Sequence, residues 1–279
     1  MQKFVITGGL GLLGRRILRH VLSTGGGRIR VMVVDTQLPD EDDPVATAAL
    51  GAAAVVGVEG GLMGPSLSGF DEIPISEAED QHNGNAAAAG AAVSVVRGDL
   101  ACSAVAAAIK SFATDDGNGS PSSSSSSPSS PLSVFHLASV MSGQGEADFD
   151  EAIRVNIDGT RSLLDTCRAI GGRPRFVFAS SIAAFGGGND NDRDSDSAQV
   201  SDETKLLPQT TYGMTKACAE LLVNDCTRKG YIDGRIARLP TVVVRPGPPN
   251  PAATGPSSPV HQTLLGCTWF NPLARRIGG

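Results

Sequence analysis

Lys3-Phe4-Val5-Ile6-Thr7-Gly8-Gly9-Leu10-Gly11-Leu12-Leu13-Gly14 begins as an apolar run, turns through glycines at positions 8, 11 and 14, and leaves as a helical pattern. The apolar run reads as a buried strand. Leu12, Leu13, Ile17, Leu18, Val21 and Leu22 share one face of a helix that Gly25 ends. Glycines at this spacing allow a tight turn and let backbone N–H groups and the helix N-terminus approach a pyrophosphate. A glycine triplet alone needs only a turn with positive φ. Between a strand and a helix it reads as a dinucleotide-binding loop, with Gly8, Gly11, Leu12, Leu13 and Gly14 as its candidate contacts.

The next strand, Arg28 to Asp35, ends in an acid 21 residues beyond Gly14. A carboxylate there can accept hydrogen bonds from an adenosine ribose and repels a 2′-phosphate, and no Arg or Lys follows it closely. Asp35 therefore points to NAD rather than NADP.

Further apolar runs at Ala92 to Arg97, Leu132 to Leu137, Arg175 to Ser180 and Arg235 to Val244 read as strands. Helical patterns over about Phe149 to Ala169, with Arg161, Asp165 and Arg168 outward, and over Thr211 to Lys229 lie between them. Alternation of this kind predicts an α/β fold, a Rossmann doubly wound parallel sheet, in a domain over residues 1–250. Two stretches break the rhythm, about residues 39–91, rich in Ala, Gly, Asp and Glu, and about 113–131, with the Ser/Pro tract Ser120 to Pro131. Both read as surface insertions, the Ser/Pro tract as one too polar to offset its ordering entropy. Residues 251–279 read as a short irregular tail.

Bulk properties narrow the partners. A net charge of −6 and the lack of a basic block argue against nucleic acid or an anionic membrane surface. Cys102, Cys167, Cys218, Cys226 and Cys267 are odd in number and widely spaced, with no CxxC pair and no His at ligand spacing, which argues against a disulfide framework or a metal site. Phe4-Val5-Ile6 is too short for a signal-peptide core, and no apolar stretch reaches the about 18 residues of a membrane span. The expectation is a cytoplasmic protein that acts on a small molecule.

Tyr212-Gly213-Met214-Thr215-Lys216 sets a phenol and an ammonium four residues apart on one helix face. A free Tyr titrates near 10, and a neighbouring cation favours its phenolate, so the pair can exchange a proton with a substrate hydroxyl. The same spacing is common on ordinary surface helices. Here the strand Phe176 to Ser180 empties into Ser180-Ser181 at its C-terminal end, where ligands of open α/β sheets bind. A hydroxyl there can hydrogen-bond a reacting oxygen, or simply cap a helix.

These motifs, with Gly98-Asp99-Leu100, Phe135-His136-Leu137-Ala138, Val155-Asn156-Ile157-Asp158-Gly159-Thr160 and Arg238 to Gly247, resemble the extended short-chain dehydrogenases/reductases, also described as NAD-dependent epimerases/dehydratases. The resemblance implies NAD as cofactor and Ser181, Tyr212 and Lys216 as catalytic residues. Ser181 rather than Ser180 takes the catalytic place because it stands four residues before Phe185-Gly186. Asp99 and Leu100 would contact the adenine, Leu137 and Ala138 would line the cofactor, Asn156 would lie near it, and Pro240 would pack near the nicotinamide. Tyr212 and Lys216 would also touch the cofactor. Ala138 to Gly143, Glu146 to Asp150, Leu206 to Gly213 and Arg238 to Thr241 are similar to a branch that oxidises the C2 hydroxyl of D-erythronate, a four-carbon sugar acid. That similarity implies a sugar acid or hydroxy acid substrate, with Ser142, Ser181 and Thr241 on its side and Arg245 against its carboxylate. Sugar-nucleotide epimerisation and a truncated NAD-binding module without turnover are the alternatives. Retention of both Tyr212 and Lys216 speaks for an enzyme, and Ser181-Ile182-Ala183 in place of a Thr-Asp-Glu set speaks against a dehydratase. The resemblance further implies a homodimer through the Asn156 and Tyr212 helices and a C-terminal substrate lobe, for which the 29 residues after Asn250 are too few.

Overall fold

The structure, a computed structural model, describes residues 1–24, 28–37, 54–57, 91–115, 131–186, 204–240 and 242. Gly25, Thr241, Arg245, the expected tail at 251–279 and most of both insertions lie outside the described residues.

Seven strands are described: β1 (Gln2–Thr7), β2 (Ile29–Asp35), β3 (Ala54–Gly57), β4 (Ala91–Arg97), β5 (Leu132–His136), β6 (Arg175–Ser181) and β7 (Asp233–Leu239). They form one sheet in the order β3-β4-β2-β1-β5-β6-β7, and every pairing is parallel. The helices are α1 (Leu12–Thr24), α2 (Ser103–Thr114), α3 (Ser142–Ala147), α4 (Phe149–Ile153), α5 (Gly159–Ile170) and α6 (Thr211–Arg228). A π-helical turn, Arg154–Asp158, joins α4 to α5, and a 3₁₀ turn, Ile182–Ala184, follows β6.

Alternating side chains of β1 and β2 supply two cores, one on each face. Val5, Met32 and Val34 pack with Val105, Ile109 and Phe112 of α2, Leu163 and Leu164 of α5 and Val223 of α6. Ile6, Val31 and Val33 pack with Leu18, Val21 and Leu22 of α1 on the other face. The α/β Rossmann-like parallel sheet expected from the sequence is thus present, with helices on both faces. Its order reverses between β1 and β5, the switch point beyond whose C-terminal strand ends open α/β sheets bind their ligands.

Five details differ from the sequence reading. Ala54-Val55-Val56-Gly57, inside the first expected insertion, adds a strand to the sheet edge beside Ser94 to Arg97, because a four-residue edge strand has too few positions to show a period. Helix α2 was missed although Val105, Ala108, Ile109 and Phe112 hold core spacing and are buried. It runs to Thr114, so the second insertion begins later than residue 113. The long helix expected from Phe149 is interrupted by the π turn, and β7 starts two residues before Arg235, at Asp233.

Phe176 is fully buried in the core that β6 shares with α5 and α6. Phe176→Ala should cost about 3–5 kcal/mol of unfolding free energy in a denaturant titration. A loss below about 1 kcal/mol would show that the two helices do not close over this strand as described.

Candidate functional site

The glycine loop sits at the reversal of strand order. Gly8 has φ +67°, and a Cβ on it would lie 2.7 Å from the Ala138 nitrogen, so only glycine lets the end of β1 approach the end of β5 this closely. A Cβ on Gly14 would lie 2.5 Å from the Gly8 carbonyl oxygen, which presses α1 down on the turn. The Gly8 N–H donates to the Val34 carbonyl at 2.8 Å, and the Asp35 carboxylate accepts from the Leu10 N–H at 3.1 Å. Leu12 and Leu13 begin α1, half-buried. The backbone here turns tightly on glycines, with an acid at its edge and a helix N-terminus behind it, which fits a dinucleotide.

Asp99 and Leu100 follow β4, but their side chains are occupied. Asp99 accepts from the Ala101 N–H at 2.8 Å and pairs with Arg154 of the π turn. Leu100 is buried beneath Gly159 in the α2 and α5 core. Leu137 is hydrogen-bonded through its N–H to the Thr7 carbonyl at 3.1 Å, and Ala138 meets Gly8. Both are half-buried beside the loop.

Asn156 is 3% exposed and makes four hydrogen bonds. Its Nδ2 donates to the Val140 carbonyl at 3.1 Å and the Thr215 hydroxyl at 3.0 Å, and its Oδ1 accepts from the Val140 N–H at 2.8 Å and the Ser139 hydroxyl at 3.1 Å. Thr215 in turn donates to the Tyr212 carbonyl at 2.9 Å. On the other side, the Thr160 hydroxyl donates to the Asn156 carbonyl at 2.6 Å and stands 2.8 Å from His136 Nε2, while His136 Nδ1 is 2.7 Å from the Thr7 hydroxyl. Because Thr160 spends its proton on Asn156, Nε2 carries the His136 proton and Nδ1 accepts from Thr7. One polar chain therefore links Tyr212 to the residue before Gly8. Burial pushes the His136 pKa down from 6.5 to about 3, with the Lys216 charge adding to the effect.

Tyr212 and Lys216 lie one turn apart on α6, both buried. The Thr210 hydroxyl caps this helix by accepting from the Gly213 N–H at 3.0 Å, and Glu146 of α3 accepts from the Thr211 N–H at 2.6 Å. Lys216 Nζ lies 5.5 Å from the Tyr212 ring centre and 4.9 Å from that of Phe178, and donates to the Ala179 carbonyl at 2.8 Å. Burial lowers its pKa from 10.5 to about 7, against the upward pull of Glu220. Ser181 ends β6 half-buried, and its Oγ accepts from the Ala183 N–H at 3.1 Å. Gly213 packs directly on the Ala183 carbonyl, so the turn after Ser181 meets the first turn of the Tyr212 helix.

The structure thus brings the loop, Asp35, Ala138, Ser181, Tyr212 and Lys216 to the C-terminal edge of one sheet. Ser142 starts α3, half-buried, and Pro240 is exposed just beyond β7. Three polar residues at this edge were missed in the sequence, Glu146, Glu220 and Arg238. Glu220 had a legible signal, since it continues the Tyr212, Lys216 spacing by one more turn. Among the described residues no helix is long and apolar enough to cross a membrane.

Residues 123–257 match the model of the NAD dependent epimerase/dehydratase family. The D-erythronate dehydrogenase of Cupriavidus necator is 38% identical over 271 residues, 97% of this chain and 64% of that protein. The match places residues 123–257 in the NAD-dependent epimerase/dehydratase family. A D-erythronate dehydrogenase of Haemophilus influenzae is 43% identical over 145 residues, 52% of the chain and 44% of the relative. The crystal structure of a nucleoside-diphosphate-sugar epimerase from Agrobacterium tumefaciens superposes with a TM-score of 0.58 at 29% identity, over 90% of this chain and 56% of that one. The chain therefore spans less than two thirds of the length of these relatives.

His136 offers a test of the polar chain. Its folded pKa lies below its unfolded one, so its contribution to stability is whole above about pH 6.5 and is lost as pH falls from there toward about 3. Denaturant unfolding measured from pH 7 to 4 should show stability falling more steeply in the wild type than in His136→Gln. Equal slopes would mean that His136 is not held neutral.

Proposed function

We propose that the protein is an NAD-dependent oxidoreductase that moves a hydride between NAD and a small sugar acid or hydroxy acid, with the C2 hydroxyl of a D-erythronate-like substrate oxidised to a ketone. The observation that carries this reading is Lys216, buried and 5.5 Å from the Tyr212 ring, at the same sheet edge as Ser181 and the glycine loop.

Backbone N–H groups of Leu12, Leu13 and Gly14 at the start of α1 would hold the pyrophosphate, with Gly8 and Gly11 letting it approach the turn closely, and Asp35 the adenosine ribose. Asp99 and Leu100 would border the adenine through the end of β4, and Leu137, Ala138, Asn156 and Pro240 would wall the nicotinamide side. Bound NAD supplies a hydride acceptor for the substrate carbon. Ser181 spends its Oγ lone pair on the Ala183 N–H, which leaves its proton free to donate to the substrate oxygen. Tyr212 takes the proton of that hydroxyl. Tyr212 does so as the phenolate, the form that the neighbouring Lys216 ammonium favours, and it is the neutral phenol once the proton has moved. On the substrate side, Ser142 stands at the start of α3 beside α6, and Thr241 and Arg245 are the further candidates, Arg245 for a planar carboxylate.

The name of the Agrobacterium tumefaciens structure supports a second reading, a sugar-nucleotide epimerase, which would use the same three residues without net release of reduced cofactor.

Mixing the chain with NAD and D-erythronate and following the absorbance of reduced cofactor tests the first reading. Tyr212→Phe is expected to lose about 100- to 10,000-fold in rate. A wild-type signal no higher than that of the variant sinks the dehydrogenase assignment. Calorimetric NAD binding without turnover on a hydroxy-acid panel would instead mark a cofactor-binding module.

A further inference from the structure

Three successive residues at the end of β6 do different work. The Ala179 carbonyl accepts from Lys216 Nζ at 2.8 Å, the Ser180 hydroxyl donates to Glu220 Oε1 at 2.5 Å, and Ser181 caps the following turn. Glu220 is 1% exposed and lies one turn beyond Lys216. Arg238 of β7, the cross-strand partner of Ser180, grips the same carboxylate with Nε at 3.0 Å from Oε1 and Nη2 at 2.8 Å from Oε2. Its guanidinium also lies 4.6 Å from the ring centre of Phe185, at the far end of the turn that Ser181 caps.

We propose that Glu220, paired with Arg238 and accepting the Ser180 hydroxyl, is a positioning residue that fixes the Lys216 and Ser181 parts of the site against each other. A buried carboxylate carries a desolvation cost, and apolar side chains of like volume fill such a place at least as stably. Here three charge-assisted hydrogen bonds offset that cost, one from β6, which ends in Ser181, and two from Arg238 on the neighbouring β7. The pair joins α6, β6 and β7 at one level of the sheet. The carboxylate also acts on Lys216 directly. Among the described residues, the titratable or charged groups around Lys216 are Tyr212 and Glu220 of its own helix, neutral His136 of β5 and Arg238 of β7 behind Glu220. Burial drives Lys216 toward the neutral amine, and Glu220 opposes it. Only the ammonium form can donate to Ala179 and still attract charge on the Tyr212 oxygen.

The inference rests on the dehydrogenase reading for what the positioned groups do, so its test has a readout in the ligand-free chain. Lys216 is titrated by NMR of its Cε and Nζ in wild type, Glu220→Gln and Glu220→Asp. Loss of the carboxylate charge should move the Lys216 midpoint down by about one unit, and the Asp variant should restore most of it. An unchanged midpoint in Glu220→Gln overturns the proposal. On whichever hydroxy acid the wild type oxidises, Glu220→Gln should lower kcat about tenfold or more with KM for NAD nearly constant, as expected of misplaced groups. If Glu220→Gln fails to fold, Arg238→Lys keeps the charge but not the planar fork. It should show the same fall in kcat with a thermal midpoint close to wild type, and full activity in it overturns the proposal. A wild type without turnover on sugar acids sinks the functional reading alone, because the Lys216 midpoint is read without substrate.

Discussion

The C-terminal edge of the sheet is organised around the buried amide of Asn156. An amide out of water with any of its groups unmet costs on the order of 1–3 kcal/mol each, and Asn156 meets all four with partners on the loop after β5 and on α6. Those partners cannot move independently without breaking a bond that water cannot replace. The π turn around Asn156 serves the same end. Its Asn156 carbonyl accepts from the Thr160 hydroxyl, whose oxygen accepts from the His136 Nε2–H, and His136 Nδ1 accepts from the Thr7 hydroxyl. Hydrogen bonds in such a chain polarise one another, so Tyr212 on α6 and Thr7 before the glycine loop belong to one cooperative unit.

This arrangement explains why a strongly shifted histidine lies away from any proton that the chemistry would move. His136 is packed between Phe176 and Phe178, with ring centres 5.9 and 5.5 Å away, and both of its nitrogens are committed. It acts as a rigid two-ended connector that burial and the Lys216 charge hold neutral. Lys216 is the opposite case. Its surroundings hold its pKa at about 7, so small changes in neighbouring charge alter its state.

Features written in consecutive residues were legible in the sequence. The glycine loop, Asp35 at the end of β2 and the Tyr212, Lys216 pair each follow from local spacing, and the structure puts them at one edge as a doubly wound sheet requires. Features that need two distant segments were not. Glu220 and Arg238 are 18 residues apart and meet only because β7 pairs in parallel with β6. The π turn leaves no periodic signature, since one added residue shifts the register without changing composition. Asp99 and Leu100 show the limit of reading roles from motif position. The motif sets the backbone of that turn, while Arg154 and Gly159, more than fifty residues later, decide where the two side chains go.

The opposite edge of the sheet uses the same chemistry for a different purpose. Lys3 is buried, its Nζ donates to the Ala113 and Asp115 carbonyls at 2.8 and 2.5 Å, and its backbone N–H donates to the Pro131 carbonyl at 3.4 Å. Arg30 adds a 3.0 Å contact to the Asp115 carboxylate. The two cations satisfy the last carbonyls of α2, which the helix itself cannot. Lys3 also holds both flanks of the Ser/Pro tract, Asp115 through Nζ and Pro131 through its backbone N–H, so the chain departs and returns beside one residue of β1. Loop closure grows only logarithmically with length, and with both flanks held the sheet is insensitive to what lies between them. Phe185 and Leu207 hold the flanks of residues 187–203 in the same way, through a 3.3 Å bond from the Leu207 N–H to the Phe185 carbonyl. That second closure lies between Ser181 and Tyr212. The distance between those two residues is therefore set by the packing of Gly213 on Ala183 and not by the length of chain that separates them.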